Sequence, residues 1–253
     1  MAVLKRDFLP FDLFPLLRES GYNGCVAVQA RQTDDETDFL LNLMENNDAV
    51  KGVVGWLDLQ ADNIEDKLQK YSGNKGLKGL RHIVQSEPDP QFLLRPQFLR
   101  GIGLLQTFNL TYDILIFPQH LPTTIKFISK FPYQRFVLDH LAKPLIKDRK
   151  ISPWDHDLRD LAAFPNVCCK LSGLVTEASW KTWSLNDFTP YLETALELFG
   201  ADRLMIGSDW PVCLLAASYQ EVMAVTEDYI SKLSKDEQVK ITGTNAIGFY
   251  DLC

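Results

Sequence analysis

Three side chains that can accept, donate or hold a proton follow three separate short apolar runs. Asp209 lies just past the run 203–206, His140 ends the run 135–139, and His82 lies near the end of the run 78–84. In α/β barrels the reactive groups lie at the C-terminal ends of the strands. A carboxylate and two imidazoles at such positions are suited to activating water and stabilising an oxyanion.

Each of these residues also has a structural interpretation. Asp209, between Gly207 and Pro211, would cap its own loop in an Asx turn. A single histidine is more often a satisfied core residue than a catalytic one. Three such residues at equivalent strand ends nevertheless favour a convergent pocket over three unrelated structural roles.

Further side chains are predicted to lie at the same edge and to bind a substrate. Lys170 lies on the same predicted strand face as Ser172, because side chains alternate along a strand. An inward lysine has to be paired or functional, and the alternative is an ion pair with Asp58 or Asp113. His156 lies among charged residues at a helix start and is predicted to be solvated. The predicted substrate-binding residues are Arg81, Lys143, His120, Lys170 and Trp210.

Signals for a metal are weak, and no metal ligand is predicted. The sequence contains neither H-x-H nor H-E-x-x-H. His82, His140 and Asp209 alone would be three ligands on three separate strands with no paired histidines, which is weak evidence for zinc. The five cysteines are odd in number and lack C-x-x-C spacing, so neither a disulfide framework nor a structural zinc site is indicated.

The elements that would position these residues alternate along the chain. The alternation predicts a parallel sheet with crossover helices, in one domain that spans residues 1–253. The predicted strands are 25–28, 51–59, 78–84, 112–117, 135–139, 167–171 and 203–206. The predicted helices are 12–20, 33–45, 62–71, 98–108, 123–131, 155–164, 184–199, 219–232 and 235–250.

The number of strands is one short of a closed barrel. A (β/α)8 TIM barrel needs eight βα units, whereas the pattern gives seven and opens on a helix. We therefore predict an α/β fold of the TIM-barrel type that lacks its first N-terminal strand, with a gap between strands 25–28 and 203–206. An open seven-stranded sheet is the alternative.

Composition limits the classes of partner. The chain has 253 residues, of which 46% are hydrophobic and 23% charged, and its net charge is −7. This net negative charge, with no dense cluster of Lys and Arg, argues against a surface that binds nucleic acid. Residues 1–10 mix charges into any apolar run, so neither a signal peptide nor a membrane span is expected. We expect a cytoplasmic protein that acts on a small solute, with homo-oligomer formation left open.

Four motifs in order resemble the lactonase branch of the amidohydrolase superfamily, and most closely its L-fuconolactonase type. The likeness runs from about residue 3 to the end of the chain. The motifs are GLRHIVQ (79–85), LDHLAKP (138–144), CKLSGL (169–174) and LMIGSDWPVC (204–213).

The resemblance implies a (β/α)8 barrel that hydrolyses a sugar lactone. It implies that Asp209 activates the attacking water and that His140 and His82 contact the lactone carbonyl. Many superfamily members bind a divalent metal, although this branch is thought able to work without one. The family begins with a strand that carries H-x-H, which this sequence lacks, so we expect a metal only where that histidine pair is present.

Two alternatives to a lactonase are kept. One is a metal-dependent hydrolase or decarboxylase of the same superfamily, and it would need the histidine pair. The other is a non-catalytic barrel that binds a sugar acid or a protein. Turnover of an aldonolactone separates the second alternative from enzymes, and a chelator series tests the first.

Overall fold

Strands and helices alternate throughout the computed structural model, which describes residues 2–252. The strands are β1 (Cys25–Val28), β2 (Val50–Gly55), β3 (Leu77–Ile83), β4 (Thr111–Leu115), β5 (Phe136–Leu138), β6 (Val167–Leu171) and β7 (Leu204–Ile206). The first helices are α1 (Pro10–Glu19), α2 (Asp34–Glu45), α3 (Ile64–Ser72), α4 (Pro96–Leu105), α5 (Leu121–Ile128) and α6 (Trp154–Ala162). The later ones are α7 (Leu174–Glu177), α8 (Leu185–Phe199), α9 (Tyr219–Ile230), α10 (Lys235–Val239) and α11 (Asn245–Tyr250).

Local chemistry sets several of these boundaries. Thr33 caps α2, because its hydroxyl accepts a hydrogen bond from the backbone N–H of Glu36 at 3.2 Å. Ser218 begins α9 in the same way, and the carboxylate of Glu221 accepts back from the Ser218 N–H at 2.7 Å. The predicted helix 235–250 is helical throughout, but a π-helical turn at Lys240–Thr244 lies between its α-helical parts α10 and α11.

All seven strands are parallel and pair in the order β1 to β7. Within residues 2–252, β1 and β7 form the two ends of this sheet and do not pair with each other. The curled sheet with its outer helices is a TIM barrel that lacks one strand. The prediction of this fold is confirmed, and the gap lies between β1 and β7 as predicted.

The two faces of the sheet have different roles. Val53 packs in the large core between the strands and the surrounding helices, whereas its neighbour Val54 packs inside the barrel. Both are fully buried. Tyr250, at the end of α11, packs in the same interior cluster as Val54. Strand alternation therefore decides whether a residue faces the interior or the helices.

Neither a membrane-spanning helix nor a disulfide is found among residues 2–252. Among residues 2–252, none of the helices is both long enough and apolar enough to span a membrane. The four cysteines in that part of the chain, Cys25, Cys168, Cys169 and Cys213, are free. A cytoplasmic location stays a prediction.

Candidate active site

Four charged side chains pair inside the barrel and form what we call the interior ion network: Arg81, Asp113, Asp139 and Lys170. The ammonium of Lys170 lies 2.5 Å from Asp113 Oδ2 and 2.7 Å from Asp139 Oδ1. Arg81 Nη1 lies 2.9 Å from Asp139 Oδ2. The Tyr250 hydroxyl donates to Asp113 Oδ2 at 2.8 Å. Two cations thus balance two carboxylates that have no solvent exposure.

This pairing favours the charged forms of Lys170 and Asp139, whereas burial raises the pKa of Asp113 despite the nearby Lys170. Burial disfavours the ammonium of Lys170, but the carboxylates of Asp113 and Asp139 outweigh this effect and raise its pKa. Burial likewise opposes the charge of Asp139, yet Lys170 and Arg81 hold its pKa well below the usual value. The ion pair with Asp113, the alternative that the sequence left open for Lys170, is therefore present. That Arg81 and Lys170 also bind substrate stays a prediction, resting on the 12% and 13% of their side chains that remain accessible.

His140 is aimed by an unusual turn at the end of β5. His140, Leu141, Ala142 and Lys143 all have left-handed backbone angles, with φ between 52° and 58°. This conformation is costly for residues other than glycine, and clusters of such strain are found at functional sites. The turn is held by a hydrogen bond from Trp154 Nε1 to the Leu141 carbonyl at 2.7 Å. It brings His140 Nδ1 to 2.7 Å from Ser172 Oγ, just past the end of β6.

Asp209 approaches the other side of the same imidazole. Its Oδ1 lies 3.6 Å from His140 Nε2, and the two side chains are 14% and 10% exposed. Asp209 has a left-handed φ of 53°, which aspartate tolerates better than most residues. Burial lowers the pKa of His140, opposed by the charges of Asp209 and Asp139, so the ring is neutral at pH 7. The structure thus brings together Asp209 and His140, as the sequence predicts.

Lys143 and Glu177 form a second polar pair close to this one. Lys143 Nζ lies 3.5 Å from Glu177 Oε1, at the end of α7. Burial raises the pKa of Glu177, and the nearby charge of Asp209 raises it further, against the lowering effect of Lys143. Lys143 was predicted from the sequence, but Glu177 was missed. Its only signal was its position a few residues after β6, just past the motif CKLSGL (169–174).

His82 does not join this group. It is one residue past Arg81, whose side chain faces the interior, so the alternation turns His82 toward the helices. Its ring stacks on Phe92 at a centroid distance of 4.5 Å. Trp56 Nε1 lies 3.2 Å from Nδ1, and Glu87 Oε1 lies 2.7 Å from Nε2. Both ring nitrogens are engaged by neighbouring side chains, and the contact of His82 with a lactone carbonyl stays a prediction.

The remaining predicted residues are placed as follows. His120 is 6% exposed on the loop after β4, and its Nδ1 accepts the Phe117 N–H at 3.1 Å, which leaves the proton on Nε2 of the neutral ring. Trp210 is half-buried and packs edge-on against Phe8 at 5.2 Å. Their contact with substrate stays a prediction. His156, expected to be solvated, has a side chain that is 75% exposed.

The residues present do not complete a metal site. Zinc sites use at least three protein ligands. Residues 2–252 contain no group of three or more His, Cys, Asp or Glu placed to hold a metal ion. His140 and Asp209 together provide two candidate donors, one short of such a set. The steps derived below therefore use only groups of this chain.

Buried neutral histidines predict a loss of stability in mild acid. Burial lowers the pKa values of His82, His120 and His140 below the ordinary 6.5. The unfolded chain therefore binds more protons than the folded one as the pH falls below 6.5, which costs up to about 1.4 kcal/mol per histidine at pH 5.5. We expect denaturant titrations to give a lower free energy of unfolding at pH 5.5 than at pH 7.5.

A pair of variants separates this effect from other titrating groups. His120→Gln should weaken the dependence of stability on pH, because one depressed pKa is removed. His156→Gln is the matched control, at a histidine whose side chain is 75% exposed. Equal slopes for wild type and His120→Gln would contradict the explanation.

Sequence comparisons connect this geometry to known proteins. A protein-family model described as amidohydrolase matches residues 2–252. An L-fucono-1,5-lactonase from Burkholderia multivorans is 42% identical, over 100% of this chain and 88% of its own length. An L-fucono-1,5-lactonase from Burkholderia ambifaria is 36% identical, over 99% of this chain and 87% of its own length.

Solved structures agree with the fold. Crystal structures of an amidohydrolase from Burkholderia multivorans, one with bound HEPES and one with bound zinc, superpose with a TM-score of 0.96. They are 42% identical to this chain and cover all of it and 92% of their own length. The resemblance seen in the four sequence motifs is thereby confirmed. The chain belongs to the amidohydrolase family.

Proposed function

We propose that this protein is a hydrolase that opens a sugar lactone to the sugar acid, with an L-fucono-1,5-lactone-like substrate. The observation that carries the proposal is the 3.6 Å approach of Asp209 Oδ1 to a neutral, buried His140 at the C-terminal end of the strands. The two lactonases that are 42% and 36% identical over nearly the full chain support the substrate class.

The proposed reaction needs one base and one donor. Asp209 takes a proton from water as the water oxygen attacks the lactone carbonyl carbon. The carbonyl oxygen becomes an oxyanion, which His140 stabilises by hydrogen bonding from Nε2, with the ammonium of Lys143 nearby. The ring C–O bond then breaks, and its oxygen takes the proton that Asp209 accepted. The product is an open-chain carboxylic acid, and Asp209 is restored.

Other residues are assigned to substrate binding in this proposal. Lys143 and Glu177 offer a donor and an acceptor for sugar hydroxyls. His120 offers its Nε2 proton, and Trp210 offers an aromatic ring for an apolar sugar face. Arg81 and Lys170, whose side chains remain 12% and 13% accessible, offer N–H donors to the substrate from the interior ion network.

A metal-dependent hydrolase is the second candidate, because the Burkholderia multivorans amidohydrolase was crystallised with zinc. The test is hydrolysis of L-fucono-1,5-lactone, an L-rhamnono-γ-lactone and an unrelated ester, each with and without a chelator. We expect turnover of a sugar lactone above its spontaneous hydrolysis, retained in chelator. Loss in chelator with recovery on added zinc would favour the metal-dependent candidate. Absence of turnover with binding of a sugar acid would favour a non-catalytic barrel.

A further inference from the structure

Ser172 lies against His140 and has no assigned role. It follows β6 directly, on the same interior face as Lys170, and is 4% exposed. Its Oγ lies 2.7 Å from His140 Nδ1. Within residues 2–252 this is the one hydrogen bond recorded for the Ser172 hydroxyl. A buried hydroxyl committed to one ring nitrogen is placed to control that ring.

The surrounding backbone is shaped to this contact. Gly173 has a φ of 64°, and a Cβ built there would lie 2.7 Å from His140 Cγ. A Cβ on Gly207 would lie 3.0 Å from Ser172 Cβ. Two glycines just past the ends of β6 and β7 therefore leave the space that the ring and the hydroxyl fill. In the turn that carries His140, the Lys143 N–H donates to the His140 carbonyl at 2.7 Å and closes the left-handed turn.

The groups that face the two ring nitrogens decide which nitrogen carries the proton. The carboxylate oxygens of Asp209, one of which lies 3.6 Å from Nε2, are hydrogen-bond acceptors. A neutral His140 with a bare Nε2 would direct its lone pair at that carboxylate, which is unfavourable. The proton therefore belongs on Nε2, which leaves Nδ1 as an acceptor. The Ser172 hydroxyl is then the donor in the 2.7 Å contact.

We propose that Ser172 is a positioning residue that holds His140 as the Nε2–H tautomer, with that proton aimed at Asp209 and the reacting carbonyl. The catalytic meaning of this arrangement rests on the proposed lactonase function, whereas the tautomer itself does not. Ser172 touches no reacting atom in the proposed steps and acts only through His140.

Nitrogen-15 NMR of the wild-type protein, labelled on histidine, reads the tautomer directly. The signals of His140 are identified by their absence in His140→Gln. At pH 7.5 we expect Nε2 to be protonated and Nδ1 to show the shift of an unprotonated, hydrogen-bonded nitrogen. A protonated Nδ1 would overturn the proposal, and this measurement needs no substrate and no variant of Ser172.

Two variants test the role of the hydroxyl. In Ser172→Ala the Nδ1 signal should move to that of a nitrogen without a hydrogen bond, and kcat should fall about 10-fold or more with KM within about 2-fold, because the donor is misplaced rather than removed. Ser172→Thr, which keeps the hydroxyl, should recover most of the loss and the wild-type Nδ1 signal. An unchanged kcat and Nδ1 signal in Ser172→Ala would refute the proposal.

The two hypotheses fail in different ways. If no lactone is turned over but Nδ1 is unprotonated and hydrogen-bonded, the proposed function fails and the role of Ser172 in setting the tautomer stands. If lactones are hydrolysed but Nδ1 carries the proton, the proposed role of Ser172 fails and the proposed function stands.

Discussion

Replacing Asp209 with asparagine is expected to lower kcat for an L-fucono-1,5-lactone-like substrate by at least about 100-fold, because the amide cannot accept the proton of the attacking water. Asparagine keeps the shape of aspartate and tolerates the left-handed backbone at this position, where φ is 53°. The fold should therefore survive, and KM should change far less than kcat. Steady-state kinetics, with spontaneous hydrolysis subtracted, measure the effect.

A second variant at the site and a surface control accompany this measurement. His140→Ala should also cause a large loss, because it removes the donor aimed at the developing oxyanion. His156→Ala should change neither kcat nor KM, because that side chain is 75% exposed and makes no contact with the site. Near-wild-type activity of Asp209→Asn on every lactone that the parent protein hydrolyses would mean that another group is the base.

Replacing Lys170 with methionine should lower the free energy of unfolding by about 3–5 kcal/mol. The change removes the ammonium between Asp113 and Asp139, two carboxylates with no solvent exposure. Among residues 2–252 the ion-pair partner of Arg81 is Asp139, so Asp113 would lose its cation. Such a loss is a large share of the stability of a typical domain. Chemical denaturation of wild type and variant at pH 7.5 measures it.

A surface pair provides the matched control. Lys67 lies 2.6 Å from Asp34, with about a third of each side chain exposed. Lys67→Met should therefore cost less than about 1 kcal/mol. The deficit of Lys170→Met should also shrink in acid, where the buried carboxylates take up protons. Equal costs for the two variants would show that the interior ion network contributes little to stability.

Much of the architecture follows from local signals in the sequence. Strands β1 and β6 occupy the residues predicted, since short apolar runs bounded by turn residues define buried parallel strands. Helix α2 begins where its cap Thr33 indicates. The missing barrel strand was evident from the count of alternating units alone. The π-helical turn at Lys240–Thr244 was not, because it contains no proline and a single glycine, Gly243, is tolerated within a helical pattern.

The site was only partly predictable, for geometric reasons. The sequence indicated which residues come at strand ends, but the direction of each side chain depends on register and on turns. Arg81 and His82 are adjacent, so only one of them can face the interior. His140 would point outward by simple alternation, and the left-handed turn that brings it to Ser172 has no simple sequence signature. Glu177 was not predicted, because its contact with Lys143 joins residues that are distant in sequence.

The attack of water on a lactone carbonyl in this pocket is tested most directly by hydrolysis in ¹⁸O-labelled water. Mass spectrometry of the product acid should show one ¹⁸O in the carboxylate, formed well above the rate without protein and at least about 100-fold more slowly with Asp209→Asn. No acceleration by the wild-type protein, or ¹⁸O on the hydroxyl carbon rather than in the carboxylate, would contradict the account.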